Sequence, residues 1–193
     1  MRHWTDCRLT RGDVLSDSEV PFDIDHVDHS VGGFGGHAFR RFTHIAMSII
    51  PLAYYAKGQE LGDYFSATPR ELVSMIVISI LIIEFIRLRW GIVVIGQREY
   101  EASQISAFAW GGIAVSLALL ISPEGDGSGL ERGLYGIPLI FGLTFVDPVM
   151  GEFKRVKKNL NSAIIAGSVV SFSIWVGCHF WLGTPLLAAI ILA

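Results

Sequence analysis

Cysteine is scarce in this chain. Its two cysteines, Cys7 and Cys178, stand near opposite ends of the sequence, which excludes a disulfide framework and the clustered spacing of a zinc site. Charge is scarce too. Asp, Glu, Lys and Arg make up 17% of 193 residues, against about a quarter in an ordinary soluble domain. The net charge of −3 gives no reason to expect a nucleic-acid partner. No apolar run occurs before Phe42, so a secretory h-region is lacking and the N-terminus is expected to stay on the side where the chain is made. Internal repeats, long low-complexity tracts and a P-loop signature are also missing.

What the chain has instead is long hydrophobic runs, which bring its hydrophobic content to 51%. Residues 1–38 are polar and acidic, and read as a partly disordered segment; residues 39–193 read as a transmembrane helical domain. About 20 helical residues cross the hydrocarbon of a bilayer. Four runs approach that length, Glu71–Arg87, Gln104–Ser122, Arg132–Met150 and Asn161–Trp181, and a shorter one, Phe42–Ala56, is extended by the residues before it. Leu186–Ala193 is apolar but too short to cross, so the chain either stops mid-helix or belongs to a longer one. The expected fold is all-α, a polytopic membrane helical bundle of about five spans with a partial sixth. Gly32, Gly33, Gly35 and Gly36 read as a flexible joint before it.

Basic residues orient these spans, because short cytoplasmic loops collect lysine and arginine. With the N-terminus inside, Arg2, Arg8, Arg11, Arg40, Arg41, Arg87, Arg89, Arg98, Lys154, Arg155, Lys157 and Lys158 all fall inside, against Lys57, Arg70 and Arg132 outside. The chain is therefore expected to be a multi-pass integral membrane protein with its N-terminus and basic loops in the cytoplasm, bathed in membrane lipids.

Ionisable residues in or beside membrane helices are costly and are functional candidates by default. Arg41 and His44, Glu84 and Arg87, and Arg98 and Glu101 each sit three apart, so each pair shares a helical face. Arg40 adjoins the first pair. Asp147 stands in an apolar stretch and is followed by Pro148 and by Lys154, Arg155, Lys157 and Lys158. All fall on the same side of the membrane. An acid, several guanidinium groups and a lysine-rich loop suit a magnesium-bound polyphosphate: carboxylates hold the cation, and cations neutralise charge that moves during phosphoryl transfer. Each residue also has a plainer reading. Glu84 and Arg87 can be a structural ion pair, Arg40, Arg41 and most of the 154–158 cluster can be headgroup anchors, His44 an interface histidine, and Asp147 a cap or a partner of Lys154. Asp23, Asp25, His26, Asp28 and His29 form an acidic, histidine-bearing run, better read as solvated than as a metal site. Trp175, Phe180 and Trp181 read as packing and interfacial anchors.

The series Arg40-Arg41-x-x-His44, Glu84-Phe-Ile-Arg87, Arg98-x-x-Glu101 and Asp147-Pro-Val-Met-Gly151 resembles the CTP-dependent polyprenol kinases, the family of dolichol and phytol kinases, over roughly residues 39–170. Val146 stands where that family usually has glycine, and Asn161 where it has lysine. The resemblance implies that Asp147 belongs to a nucleotide–magnesium site and that Lys154, Arg155, Lys157 and Lys158 contact the triphosphate. It implies too that His44, Glu84, Arg87 and Glu101 complete the polar pocket, and that Ser162 stands in the family's Lys-Ser pair. The expected activity is Mg-dependent phosphoryl transfer from a nucleoside triphosphate, CTP by resemblance, to an isoprenoid or other lipid alcohol, with Glu84 or Glu101 orienting or deprotonating the hydroxyl. The alternatives are a CDP-lipid-forming nucleotidyltransferase and a non-catalytic transporter or assembly protein.

Overall fold

A computed structural model describes residues 31–192. Cys7, Arg2, Arg8, Arg11 and the Asp23–His29 run lie outside the described residues. Among the described residues seven helices follow one another: α1 Gly33–Ala46, α2 Ile49–Phe65, α3 Pro69–Trp90, α4 Ala107–Ile121, α5 Gly136–Lys157, α6 Leu160–Leu182 and α7 Leu186–Leu192. Short 3-10 turns at Glu99–Ala102 and Gly129–Gly133 join some of them, and the described residues contain no sheet.

Local chemistry sets the boundaries. Thr68 opens α3 with a capping box: its hydroxyl accepts the Glu71 N–H while the Glu71 carboxylate accepts the Thr68 N–H. Pro69 occupies the first helical position, where a missing N–H costs nothing. Ser106 caps α4 through Ala109 N–H, and the Asn159 side-chain oxygen Oδ1 accepts from the first N–H groups of α6. Gly91 and Gly183 end α3 and α6 in the left-handed conformation, at φ 62° and 78°.

Three features differ from the sequence reading. The glycine stretch is not a joint: Gly33, Gly35 and Gly36 form the first turn of α1, and Gly36 is buried. The first predicted span breaks at Met47–Ser48, between α1 and α2. Pro51 falls in the first turn of α2, where its lack of an N–H is tolerated. The basic loop is not a loop: α5 continues through Pro148, so Lys154, Arg155 and Lys157 occupy its last turn and Lys158 is its C-cap. Cations there meet the negative end of the helix dipole.

α5 pairs most extensively with α6, and α3 with α4. The core gathers Met47, Tyr55, Val115, Leu119, Ile137, Ile140 and Leu182. Small residues permit the close approaches, as they do between membrane helices: a Cβ on Gly136 would collide with Tyr55 Oη, and one on Gly167 would lie 2.6 Å from Met150 Cγ. Trp175 is core packing, whereas Phe180 and Trp181 face outward.

The exterior is strongly apolar. Ile76, Ile82 and Phe85 of α3, Phe108 and Leu117 of α4, Ile165 and Val169 of α6, and Ile190 and Ile191 of α7 are all exposed, a larger apolar surface than soluble monomers usually present. α5 and α6 are long and apolar enough to cross a membrane, and most of their residues are left uncovered by the rest of the chain; α4 is apolar but shorter, at 15 residues. Charge collects at opposite ends. Arg132 and Arg70 meet Glu124 near the start of α3, and the remaining ionic contacts, apart from the Lys57–Glu60 pair, gather at the other end.

Candidate functional site

That other end is built around Arg87, in the last turn of α3. Its Nε and Nη2 donate to the two carboxylate oxygens of Glu84, one turn earlier, at 2.9 and 2.8 Å. Nη1 donates to the carbonyls of Ile92 and Glu101, and Nη2 also to that of Gln104. All five guanidinium N–H groups are therefore used. Glu84 is equally occupied, since the Ser106 N–H at 2.6 Å and its hydroxyl at 3.2 Å supply two further donors. Glu101 Oε2 accepts the Ala107 N–H, and its Oε1 accepts Arg40 Nη1 at 2.6 Å and the Arg98 N–H. The side chains of Glu84, Arg87 and Glu101 are 10%, 7% and 3% exposed. These groups fasten the connection between α3 and α4 and cap the start of α4, where carboxylates offset the unpaired N–H groups and the dipole.

α1 lies across this end. Val31 exchanges backbone hydrogen bonds with Gln97 and Gly96. Gly96 has φ 89°, and a Cβ on it would lie 3.1 Å from Phe39 and 3.2 Å from the Gly36 carbonyl, so the approach needs glycine. Further along α1, Arg41 donates to Glu152 of α5 at 2.7 Å, and Arg155 shares that carboxylate. His44 Nε2 lies 3.1 Å from the Leu143 carbonyl and 3.9 Å from Asp147 Oδ2. Partial burial and then the charges of Arg41, Arg155, Arg98 and Arg40 hold His37 below the usual histidine range, which shows how closely cations from three segments gather.

Between α1, α3, α4 and α5 is a cleft of about 770 Å³, within the size range of small-molecule sites. Its polar end carries Arg40, Gln97, Glu101, Arg87, Glu84 and Ser106, with His44, Thr144 and Asp147 along the α1–α5 side. The body is apolar: Met47, Ile80, Ile83, Phe108, Gly111, Ala114, Val115 and Leu143. Asp147 differs from the other acids around the cleft. Its side chain is 84% exposed, with His44 Nε2 3.9 Å from Oδ2.

The cleft thus brings together Arg40, His44, Glu84, Arg87, Glu101 and Asp147. Arg41, Arg98, Lys154, Arg155, Lys157, Lys158 and Ser162 are not among its walls. Arg98 donates to the Tyr100 hydroxyl and lies over that ring, and Arg40 takes the place expected for it beside Glu101. Ser162 sits in the capped first turn of α6. Asp147, Gly151 and Lys154 fall at positions i, i+4 and i+7 of α5, a single helical face running outward from the cleft, and Lys158 follows as the left-handed C-cap; a Cβ on Gly151 would meet nothing within 4 Å. Sequence reasoning missed His37, Gln97, Thr144 and Glu152. Glu152 was findable, three residues before Arg155, whereas Gln97 and Thr144 carry no local signal. Among the described residues no three His, Cys, Asp or Glu side chains converge as a metal cage. Magnesium does not need one, since it commonly takes one or two carboxylates with substrate phosphates and water, and Asp147 fits that role. No family model, curated protein or solved structure matches this chain.

Proposed function

We propose that this chain is a multi-pass membrane protein of about five spans that transfers a phosphoryl group from a nucleoside triphosphate, CTP by the resemblance of its motifs, to a lipid alcohol held in the cleft. One observation carries the reading: an apolar cleft reaches into the bundle from a polar rim that bears an exposed carboxylate, Asp147, beside His44. An amphipathic alcohol fits that polarity with its tail inward and its hydroxyl at the rim. The Asp147–Gly151–Lys154 face of α5, with Lys158 at its C-cap, would carry the polyphosphate away from it, with Arg41 and His37 opposite. Asp147, with the nucleotide's own phosphate oxygens, would hold a magnesium ion, which would supply charge neutralisation. The lipid oxygen bonds to the γ-phosphorus, the bond to the β,γ-bridging oxygen breaks, and the nucleoside diphosphate leaves. His44 takes the hydroxyl proton: the tautomer donating Nε2–H to Leu143 leaves a lone pair on Nδ1. Glu84 and Arg87 become scaffold in this scheme, because every donor of Arg87 and both oxygens of Glu84 are already engaged.

The same saturation favours a second reading, a membrane protein that binds a lipid alcohol without transforming it. Bilayer-reconstituted protein incubated with magnesium, γ-labelled nucleotides and prenyl alcohols separates the two. Labelled lipid monophosphate is expected. Binding without product supports the second reading, and release of pyrophosphate with a nucleotide-linked lipid shows nucleotidyl transfer instead.

A further inference from the structure

We propose that the cleft has a fixed floor, formed by Met47 and Ile80 seated on the Gly111–Gly112 pair of α4, and that this floor restricts the acceptor to short-tailed alcohols of roughly ten to fifteen carbons. The inference rests on the reading that an alcohol's tail occupies the cleft.

Three walls give similar depths, about 10 to 13 Å at 1.5 Å per residue. On α4 the lining runs from Ser106, at the polar end, to Val115; on α3, antiparallel to it, from Arg87 to Ile80; on α1 from Arg40 to Met47. At 1.5 Å per residue the α4 wall is about 13 Å deep, and an extended hydrocarbon of about ten carbons covers that distance. A branched or folded tail of fifteen still fits the volume. Below this level the bundle is closed. Met47 and Val115 belong to the core with Tyr55, Val73, Leu119 and Ile137, and Val115 and Leu119 are only 2% and 1% exposed.

The two glycines explain why the floor lies where it does. A Cβ on Gly111 would stand 3.0 Å from both Sδ and Cε of Met47, and one on Gly112 would stand 2.9 Å from Ile80 Cδ1. Each floor side chain therefore rests in the notch its glycine leaves. Met47 also sits at the break between α1 and α2, so its backbone turns where the tail must stop. Neither floor residue carries charge or touches the rim, so both act on tail length and leave the reacting groups alone.

The test is a competition series in nanodiscs with C10, C15, C20 and C55 prenyl alcohols, read both as binding and as phosphorylated product. Wild type is expected to favour C10 and C15 over C20 and C55 by at least about tenfold, the scale a pocket reaches when surplus methylenes cannot be housed. Met47→Ala and Ile80→Ala should each move the preferred length up by about one isoprene unit, and Gly111→Ala should weaken C15 more than C10. Equal affinity for all lengths, or an unmoved preference in both alanine variants, overturns the floor while leaving the kinase reading intact. Binding with the predicted length preference but no product upholds the floor and overturns the kinase reading. Failure of every alcohol to bind overturns both.

Discussion

Two groups of ionisable residues occupy one end of this bundle and behave oppositely. In the buried knot, Glu84, Arg87 and Glu101 are at most 10% exposed and their polar atoms are taken up by one another and by the α3–α4 connection. At the rim, Asp147 is 84% exposed with a histidine 3.9 Å away. Both groups look alike in sequence, as charges at helix ends. The difference teaches that saturation, more than presence, separates a structural charge from one available for chemistry. A carboxylate already accepting four hydrogen bonds has nothing left to offer a proton or a cation. An exposed one does.

Substitutions can break or sharpen that contrast. The largest effect is expected in the knot: Arg87→Ala leaves Glu84 buried and unpaired and should cost about 3–5 kcal/mol, read as a collapse of the thermal transition in detergent. A fold that tolerates the change would erase the distinction drawn above. At the rim, His44→Ala should lower transfer about 10²–10⁴-fold through loss of the base while unfolding shifts by about 1 kcal/mol or less, the worth of one hydrogen bond. Between the two regions lies the half-exposed Arg41–Glu152 tie; Glu152→Ala should cost about 1 kcal/mol or less and weaken nucleotide binding only modestly. Smallest of all, Lys57→Ala removes a pair whose members are 63% and 69% exposed. It should leave both stability and transfer unchanged in the same assays, because surface ion pairs contribute about 0–1 kcal/mol.

Much of this was legible in the sequence. The hydrophobic runs placed most helices to within a few residues, since apolar length is a local property. Glu84 and Arg87 were readable as a pair, because i,i+3 spacing on a helix dictates proximity. Their saturation was not, because it depends on how residues 91–106 fold back to present the carbonyls of Ile92, Glu101 and Gln104. Arg40 as the partner of Glu101 was hidden for the same reason, being a contact between distant segments. The break at Met47–Ser48, where no side-chain cap marks the helix end, and the helical course of Lys154–Lys157 departed from a reading based on apolarity and charge. Thr68-Pro69-x-Glu71 and Asn159 show how much a cap can say when it is read.

The most direct test compares wild type with Asp147→Asn in lipid bilayers, measuring magnesium-dependent transfer of labelled γ-phosphate to a C15 prenyl alcohol at matched thermal stability. A drop of about 10²-fold or more, the scale for losing a group that stabilises transition-state charge, with the unfolding transition unmoved is the predicted result. An asparagine variant that transfers phosphate as fast as wild type would contradict it.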